Sequence, residues 1–394
     1  MKLAFVVQRY GADIAGGSEA HCRELAERLA SRYDITVLTT CARDYVSWKN
    51  AVPAGTTLER GVTVRRFPVA RRRRLKAFAD LSDEVFAGPS PRERQEEWFR
   101  ENGPETPALV DHLRSSGSAY DVVAFWAYRY APTYFGLPLV AERAVLVPTA
   151  EDDRAIDLDV VGQFFRLPAG YIFLTPEEEA LVSTRAGRTL RPSTVIGSGL
   201  DAAQAIDAAA ILARHAIADD YVLYLGRVDR NKGCDGLLEY FQEFAARPDA
   251  PTLVLAGPAT MRIPDHPNIR ALGYVPDELR DALLVRARAM IVPSPYESLS
   301  IALLQAWNHG VPALVNARCR VLEGQVRRAN GGLSYRSARE FHESLAFLLS
   351  HGRERDAFGR QGLAYVEREY RWPVVLARVE GLLQDVQWMR SKVE

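Results

Sequence analysis

The chain has 394 residues, of which 47% are hydrophobic and 25% are charged. This composition is ordinary for a folded protein of two or three domains and argues against long disordered regions. Fifty lysines and arginines balance fifty aspartates and glutamates, whereas a general nucleic-acid-binding protein is usually basic, so nucleic acid is not an expected partner.

The cysteines and the start of the chain bear on the compartment. The four cysteines are widely spaced: Cys22, Cys41, Cys234 and Cys319. They form no C-x-x-C pair, which argues against a structural zinc site and against a disulfide scaffold. The apolar run at residues 3–7 is too short for a signal sequence or a membrane span and is typical of a buried first strand. We therefore expect a cytoplasmic protein.

Short apolar runs alternate with helical patterns along most of the chain. The runs predicted as strands are, in chain order, 3–7, 35–39, 62–67, 122–126, 144–147, 171–174, 221–225, 253–256, 269–272, 290–292, 313–315 and 333–335. They are rich in Val, Ile and Leu, as strands covered on both faces are. Between them, residues such as 22–29 carry apolar side chains at helical spacing, with Ser18 as the predicted N-cap. The alternation predicts βαβ units and parallel sheets.

The two series of strands predict two doubly wound α/β domains. The break is placed near residues 191–199, where proline and glycine cluster. This gives an N-terminal domain at 1–195 and a C-terminal domain at 196–373. A last helix is predicted after these domains, and the pattern leaves open whether it covers the second domain or crosses back to the first.

Residues 70–106 interrupt the alternation of strands and helices. They begin with four consecutive arginines, Arg71–Arg74, and continue through a charged region with interspersed aromatic residues. We predict an insertion of short helices on the first domain. Two interpretations of the arginines stay open: a solvated charge run, or a contact with an anionic membrane surface.

The most specific motif lies at residues 289–312. An apolar strand ends there, Glu297 follows in a loop, and residues 298–300 are predicted to open a helix. The free backbone N–H groups at a helix start form an anion site. A carboxylate beside that site is suited to binding sugar hydroxyls while the amides hold a phosphate. The alternative is that Glu297 only caps the helix.

A second motif, residues 226–233, follows the predicted strand at 221–225. Its glycines permit a close approach of the backbone to a ligand. Arg227 and Lys232 can reach the crevice beyond the carboxyl ends of the strands, where doubly wound sheets bind ligands. Two cations in that crevice suit a diphosphate. The alternative is a solvated surface turn.

A third motif, Gly16-Gly17-Ser18-Glu19, lies between the first strand and the first helix. It lacks the G-x-G-x-x-G spacing of a dinucleotide site, and the chain has no G-x-x-x-x-G-K-[ST] sequence. The sequence therefore disfavours an ordinary dehydrogenase or a P-loop NTPase.

In order and spacing, these motifs resemble the family-4 retaining glycosyltransferases of the GT-B fold. The resemblance spans nearly the whole chain and includes residues 255–257, 273–276 and 310–312. It implies two Rossmann-like doubly wound parallel-sheet domains that face a cleft. It also implies that the first domain binds the acceptor, that the second binds the nucleotide-sugar, and that a helix at 374–391 returns to the first domain.

The resemblance also implies roles for individual residues. Glu297, Arg227 and Lys232 are the expected catalytic residues: the carboxylate binds hydroxyls of the transferred sugar, and the two cations neutralise the diphosphate, so that no metal is expected. The other residues expected to bind the donor are Gly17, Gly226, Val275, Ser298, Leu299, Ser300 and Gln305.

Two positions depart from the family pattern. Gln305 replaces the second glutamate of a Glu-x7-Glu pair, so a carbonyl acceptor for the ribose hydroxyls remains without its charge. Glu151 stands where many relatives have a histidine. Glu151, Asp152 and Gly16 are the candidates for binding the sugar or the acceptor. The alternative for the two carboxylates is that they are ordinary loop residues.

Taken together, the resemblance implies a metal-independent, retaining hexosyltransferase. It would use a UDP- or GDP-sugar and a saccharide or lipid-linked acceptor in cell-surface polysaccharide biosynthesis. Contact of Arg71–Arg74 with the inner face of the membrane belongs to this interpretation. The alternatives are a catalytically degenerate homologue that only binds nucleotide-sugar, and another GT-B enzyme such as a nucleotide-sugar epimerase.

Overall fold

The computed structural model describes residues 1–14, 16–217 and 220–392. By their contacts these residues divide into two units. One unit is residues 1–197 with the C-terminal segment that begins at Val375, and the other is Ser198–Val374. Each unit has its own sheet and its own hydrophobic core.

The first unit is built on an eight-stranded sheet. Its strands are β1 (Lys2–Val6), β2 (Asp34–Thr40), β3 (Gly55–Glu59), β4 (Val62–Phe67), β5 (Val122–Trp126), β6 (Ala144–Val147), β7 (Gly170–Phe173) and β8 (Ser193–Val195). Their order in the sheet is β3-β4-β2-β1-β5-β6-β7-β8. All neighbours are parallel except β3 and β4, which form an antiparallel pair at the edge. The helices are α1 (Gly17–Leu29), α2 (Leu75–Phe86), α3 (Arg92–Asn102), α4 (Pro107–Ser116), α5 (Ala131–Gly136), α6 (Asp159–Phe164) and α7 (Pro176–Ala186).

The second unit is built on six parallel strands. They are β9 (Tyr221–Leu225), β10 (Thr252–Ala256), β11 (Ile269–Gly273), β12 (Met290–Val292), β13 (Ala313–Asn316) and β14 (Gly332–Tyr335), in the order β11-β10-β9-β12-β13-β14. The helices are α8 (Ala208–Arg214), α9 (Cys234–Phe244), α10 (Asp277–Arg286), α11 (Ile301–Asn308), α12 (Arg320–Ala329), α13 (Ala338–Ser350) and α14 (Gly352–Glu369).

The strands at the centre of each sheet are buried along their whole length. All five residues of β5, all four of β6 and all three of β12 are buried. Since side chains alternate between the two faces of a strand, continuous burial means that both faces of the sheet are covered. This is why these strands are encoded as unbroken apolar runs.

All twelve predicted strands are present, with ends that differ by a residue or so, and α2 to α4 form the predicted insertion of helices. Two strands were not predicted: β3, most of which is exposed, and the half-buried three-residue β8. Neither strand has a long apolar run. The prediction of Ser18 as an N-cap is wrong, because α1 begins at Gly17 and Gly16 is its N-cap residue.

The last helix, α15 (Trp372–Ser391), is grouped with the first unit from Val375 onward. Arg390 donates to the Asp121 carbonyl oxygen at 2.9 Å, and Glu380 pairs with Arg32 at 2.7 Å. These contacts attach the helix to the first unit. In the part of the chain that the structure describes, no helix has both the length and the apolar character needed to cross a membrane.

Candidate functional site

The strand order of the second unit places two of the motifs side by side. If the strands of this unit are numbered from β9 in chain order, their order in the sheet is 3-2-1-4-5-6, which is the order of dinucleotide-binding sheets. The direction of the connections reverses between β9 and β12. Ligands bind in such sheets outside the carboxyl ends of the strands, at this reversal. Residues 226–233 follow β9 and residues 293–300 follow β12, so both motifs lie there.

The loop after β9 ends in a 3-10 turn, Arg230–Lys232, with Asp229 as its N-cap. The Asp229 carboxylate accepts a hydrogen bond from the Lys232 backbone N–H at 2.8 Å. Its second oxygen lies 3.4 Å from the Arg227 guanidinium. The buried Asp229 side chain therefore contacts both cationic residues, through the backbone N–H of Lys232 and through the guanidinium of Arg227.

Glycines let the neighbouring loops approach each other closely. Gly233 has a φ of +70°, and a Cβ added there would overlap the Pro293 carbonyl oxygen. A Cβ added at Gly257 would overlap the Gly226 carbonyl oxygen. Asn316, at the end of β13, donates to the same Pro293 carbonyl at 3.0 Å. The loops after these strands therefore hold one another in place.

The structure brings together two of the three predicted catalytic side chains. The Lys232 ammonium donates to a Glu297 carboxylate oxygen at 2.8 Å. The Glu297 side chain is only 11% exposed, the Lys232 side chain is 30% exposed, and the Arg227 side chain is 43% exposed. A mostly buried carboxylate that shares one hydrogen bond with an ammonium group has further oxygen lone pairs for ligand hydroxyls.

The charge of Glu297 also affects the pKa of a buried thiol, that of Cys319. Burial raises the pKa of Cys319 to about 11; a backbone N–H of Leu322 opposes the rise, and the charge of Glu297 adds to it. The thiol is therefore protonated at neutral pH and does not act as a nucleophile.

The helix after Glu297 begins later than predicted. Ser300 is the N-cap of α11, and its hydroxyl accepts from the Leu303 N–H at 3.3 Å, so residues 298–300 precede the helix. Leu299 is buried and Ser298 is half-buried. Gln305 lies within α11 and is half-buried.

Val275 lies in the short connection between β11 and α10 and is half-buried, while Tyr274 beside it is 80% exposed. The connection follows β11, which is separated from β9 in the sheet by β10. An exposed aromatic ring at a strand end provides a face on which a ligand base can stack.

In the first unit, the Gly16-Gly17 loop follows β1, at the reversal point between β1 and β5. It is held by a buried ion pair in which the Arg9 Nε donates to Glu19 at 2.8 Å. A Cβ added at Gly16 would overlap the Glu19 carboxylate. Gly17 is exposed as the first residue of α1.

The other candidates of the first unit follow β6. Glu151 is half-buried and Asp152 is exposed. Their neighbour Asp153 pairs with Arg129, which follows β5, at 2.5 Å. Burial acts to lower the pKa of Arg129, but Tyr128, Asp153 and Glu151 raise it on balance, so the guanidinium stays charged. Two carboxylates of this segment, Glu151 and Asp153, thus act on a guanidinium that comes from the loop after β5.

His21 does not take the place of the histidine that Glu151 replaces. Its Nδ1 accepts a hydrogen bond from the Trp126 indole at 3.0 Å, so its Nε2 carries the proton and donates to the Gly197 carbonyl at 2.9 Å. Burial lowers the pKa of His21 to about 4, and the imidazole is neutral. Both ring nitrogens are engaged inside the first unit.

Three residues that shape these loops were not predicted from the sequence: Asp229, Asn316 and Arg129. Asp229 could have been found, because an aspartate three residues before the end of a turn is a typical N-cap signal. Asn316 and Arg129 act across neighbouring strands, and their contacts depend on strand order, which no local pattern specifies.

Within the described residues, no group of three or more histidine, cysteine, aspartate and glutamate side chains is arranged to hold a metal ion. At the reversal point of the second sheet, the structure places Arg227, Lys232 and Glu297 in the loops that follow β9 and β12.

Comparisons with known proteins bear on the family and the fold of the chain. Residues 219–351 match the model of the family described as glycosyl transferases group 1. A stretch of 106 residues, 24% of this chain, is 34% identical to the O-antigen chain mannosyltransferase B of Escherichia coli. That stretch spans 28% of the length of the mannosyltransferase.

Solved structures match over nearly the whole chain. Sucrose-phosphate synthase from Thermosynechococcus elongatus has a TM-score of 0.73 at 17% identity, covering 98% of both chains. HepE of Anabaena, in a complex with UDP and glucose, has a TM-score of 0.70 at 15% identity, covering 98% of this chain and 100% of HepE. The predicted resemblance and the predicted fold are thus confirmed: residues 219–351 match the model of the glycosyl transferases group 1, and the chain has the GT-B fold of two Rossmann-like units.

Proposed function

We propose that the protein is a metal-independent, retaining glycosyltransferase that moves a hexose from a UDP- or GDP-sugar to a saccharide or lipid-linked acceptor. The observation that carries this proposal is the pair formed by Lys232 and Glu297 at the reversal point of the second sheet, 2.8 Å apart. It joins a group that binds phosphate to a group that binds sugar hydroxyls.

In the free protein the two side chains satisfy each other. A nucleotide-sugar offers phosphate oxygens to the ammonium and hydroxyl groups to the carboxylate. It therefore replaces one shared hydrogen bond with separate bonds to each side chain. A diphosphate alone or a sugar alone would give a new hydrogen bond to only one of the two side chains. The pair therefore favours a donor that carries both a diphosphate and a sugar.

The chemical requirement of the reaction is to stabilise negative charge on the departing diphosphate. Cleavage of the donor leaves a nucleoside diphosphate and a sugar with oxocarbenium character. Lys232, Arg227 and the backbone N–H groups at the start of α11 supply the stabilisation electrostatically. In a front-face reaction the departing phosphate also takes the proton of the acceptor hydroxyl, so that Glu151 need not replace a histidine base.

The relatives support the finer parts of the proposal. A mannosyltransferase of O-antigen chains is a hexosyltransferase of a cell-surface polysaccharide, and HepE binds UDP and glucose. Four free cysteines suit a reducing, cytoplasmic compartment, where nucleotide-sugars serve as donors.

A panel of nucleotide-sugars tests the proposal. A bound donor should raise the melting temperature of the protein, because it binds the folded state alone. The stabilising donor is then incubated with saccharide acceptors, with and without EDTA, and the products are analysed. We expect sugar transfer with retained anomeric configuration, at the same rate in EDTA. Binding without turnover would identify a degenerate homologue, an altered free sugar nucleotide would identify an epimerase, and loss of activity in EDTA would contradict the cation-based mechanism.

The arginine run is largely engaged inside the first unit. Arg71 pairs with Glu101 at 2.7 Å and with Glu105 at 2.6 Å, and Arg74 pairs with the same Glu101. The guanidinium of Arg73 lies 4.9 Å from the centre of the Trp48 ring. These contacts use three of the four side chains to hold the insertion.

An exposed surface nevertheless lies beside the run. Arg73 donates from its guanidinium to the Tyr45 carbonyl oxygen at 3.0 Å, which brings residues 45–46 next to residues 72–76. Tyr45, Val46 and Leu75 are 41%, 42% and 54% exposed, and Arg72 and Lys76 are exposed among them. Apolar and cationic side chains together suit an anionic lipid surface, and we propose this surface as the site of membrane contact.

Vesicle flotation tests the membrane contact. We expect the protein to float with vesicles that contain phosphatidylglycerol, and the R72E/K76E variant to float several-fold less, since each cation near such a surface contributes about 1 kcal/mol. R353E/R360E changes the net charge equally at exposed positions of the second unit and should float like the wild type. No flotation of the wild type, or equal flotation of both variants, would contradict the proposal.

A further inference from the structure

The segment after β6 is held by contacts at both of its ends. At the far end, the Asp153 carboxylate pairs with Arg129 at 2.5 Å and accepts from the Ala155 N–H at 3.1 Å. At the near end, Thr149 has a φ of +48°, a left-handed conformation that is costly for a β-branched residue. A strained residue persists only where its surroundings determine its conformation.

Glu178 supplies that restraint from another part of the chain. It lies in the first turn of α7 and is 1% exposed. One carboxylate oxygen accepts from the Ala150 backbone N–H at 2.6 Å, next to the strained Thr149. The other oxygen accepts from the Leu174 N–H, also at 2.6 Å, at the end of β7. A single side chain therefore ties the loop after β6 to the loop after β7.

Only a carboxyl group suits this position. Thr175 and Glu178 have the spacing of a capping box, and the Thr175 hydroxyl accepts from the Glu178 N–H at 3.1 Å. The side chain of Glu178, however, reaches beyond its own helix to Ala150, so its role exceeds helix capping. Two backbone donors need two acceptor oxygens. A glutamine has one acceptor oxygen, and its NH₂ group would face the second donor.

The ionisation of Glu178 does not change this requirement. Burial raises the pKa of Glu178 to about 8, the two backbone N–H groups oppose the rise, and the charge of Glu151 adds to it. The protonated acid and the carboxylate both present two oxygens with lone pairs, whereas the amide nitrogen of glutamine cannot accept.

We infer that Glu178 is a positioning residue for the acceptor: through the Ala150 N–H, it holds residues 149–153 in the shape that presents Glu151 and Asp152. The inference rests on the proposed function, because it assigns those two carboxylates to acceptor binding. Because Glu178 itself is fully buried, we assign it to positioning these residues and not to contacting the acceptor.

Two measurements on E178Q test the inference. The first is amide hydrogen exchange, in which residues 149–153 should exchange roughly ten- to a hundredfold faster, as expected for the loss of one buried hydrogen bond. The second is the kinetics of transfer to p-nitrophenyl mannoside as the acceptor probe. We expect KM for the mannoside to rise roughly ten- to a hundredfold while KM for the nucleotide-sugar is unchanged. E177Q, one residue away in α7 and only half-buried, should match the wild type in both measurements.

Unchanged exchange at residues 149–153, or an unchanged KM for the mannoside in a folded E178Q protein, would overturn the inference. A rise in the KM of the nucleotide-sugar alone would overturn the assignment to the acceptor. If E178Q does not fold, E178D serves instead, because its shorter side chain keeps the charge but cannot span both donors. Absence of transfer by the wild type to every saccharide acceptor tested would contradict the proposed function, and hydrogen exchange would then decide the positioning role by itself.

Discussion

Replacing Glu297 with alanine is expected to abolish sugar transfer while binding of the nucleoside diphosphate survives. The carboxylate is mostly buried beside Lys232, and in the proposed mechanism it accepts hydrogen bonds from the hydroxyl groups of the sugar. A hydrogen bond to a charged group contributes about 1.5–3 kcal/mol. Loss of two such bonds lowers kcat/KM by roughly 10²–10⁴-fold.

The diphosphate should bind to the E297A protein at least as well as to the wild type. In this variant no bond from Lys232 to position 297 has to be broken when a phosphate binds the ammonium. Calorimetry with the nucleoside diphosphate and a transfer assay with the nucleotide-sugar separate the two effects. E239A, which removes an exposed carboxylate from α9, provides the matched control. Near-normal turnover by E297A would refute the role of Glu297.

The second large effect is expected for the double variant R227A/K232A. Both cations lie in the loop after β9, at the reversal point of the second sheet. Each charge-assisted hydrogen bond contributes about 1.5–3 kcal/mol, and the partial exposure of Arg227 places its share at the low end. We expect the Kd of the nucleoside diphosphate to rise about 100-fold or more.

Calorimetry with UDP and with GDP measures this change. R353A/R360A removes two exposed arginines from α14 and should leave the Kd as it is in the wild type. The single variants K232A and R227A apportion the effect, and K232A should have the larger share because its side chain is the less exposed. Unchanged affinity in the double variant would mean that the phosphates bind elsewhere.

The sequence was sufficient to predict the sheets because central strands buried on both faces must be apolar at every position. The same principle explains the two omissions. The residues of β3, Gly-Thr-Thr-Leu-Glu, pair only with β4 at an exposed edge, so no selection for burial marks them. β8 has three residues and is half-buried, which gives too short a pattern to recognise.

At the candidate site, the sequence predicted which loops follow strands and which residues in them bear charge. It did not predict that Lys232 contacts Glu297, because 65 positions separate the two residues and only the adjacency of β9 and β12 brings them together. Glu178 was missed for the same reason, since its partner Ala150 lies on the loop of a neighbouring strand.

The arginine run shows the opposite failure. Four consecutive cations resemble a solvated or membrane-facing patch. Two of them, Arg71 and Arg74, are nevertheless paired with glutamates near the other end of the insertion, Glu101 and Glu105. Local composition therefore overstated the charge that this segment presents to its surroundings. The pairing depends on how the end of α3, which carries Glu101, and the loop after it, which carries Glu105, pack against the arginines.

The hydrogen bond between Lys232 and Glu297 also has a consequence for the end of the catalytic cycle. After transfer of the hexose in the proposed mechanism, the nucleoside diphosphate is still bound to the Lys232 ammonium. The Glu297 carboxylate then has neither the sugar nor Lys232 as a partner. A mostly buried anion in that condition is unfavourable. In the proposed mechanism, the return of Lys232 to Glu297 relieves it, so we expect the resting contact to help expel the by-product before another round.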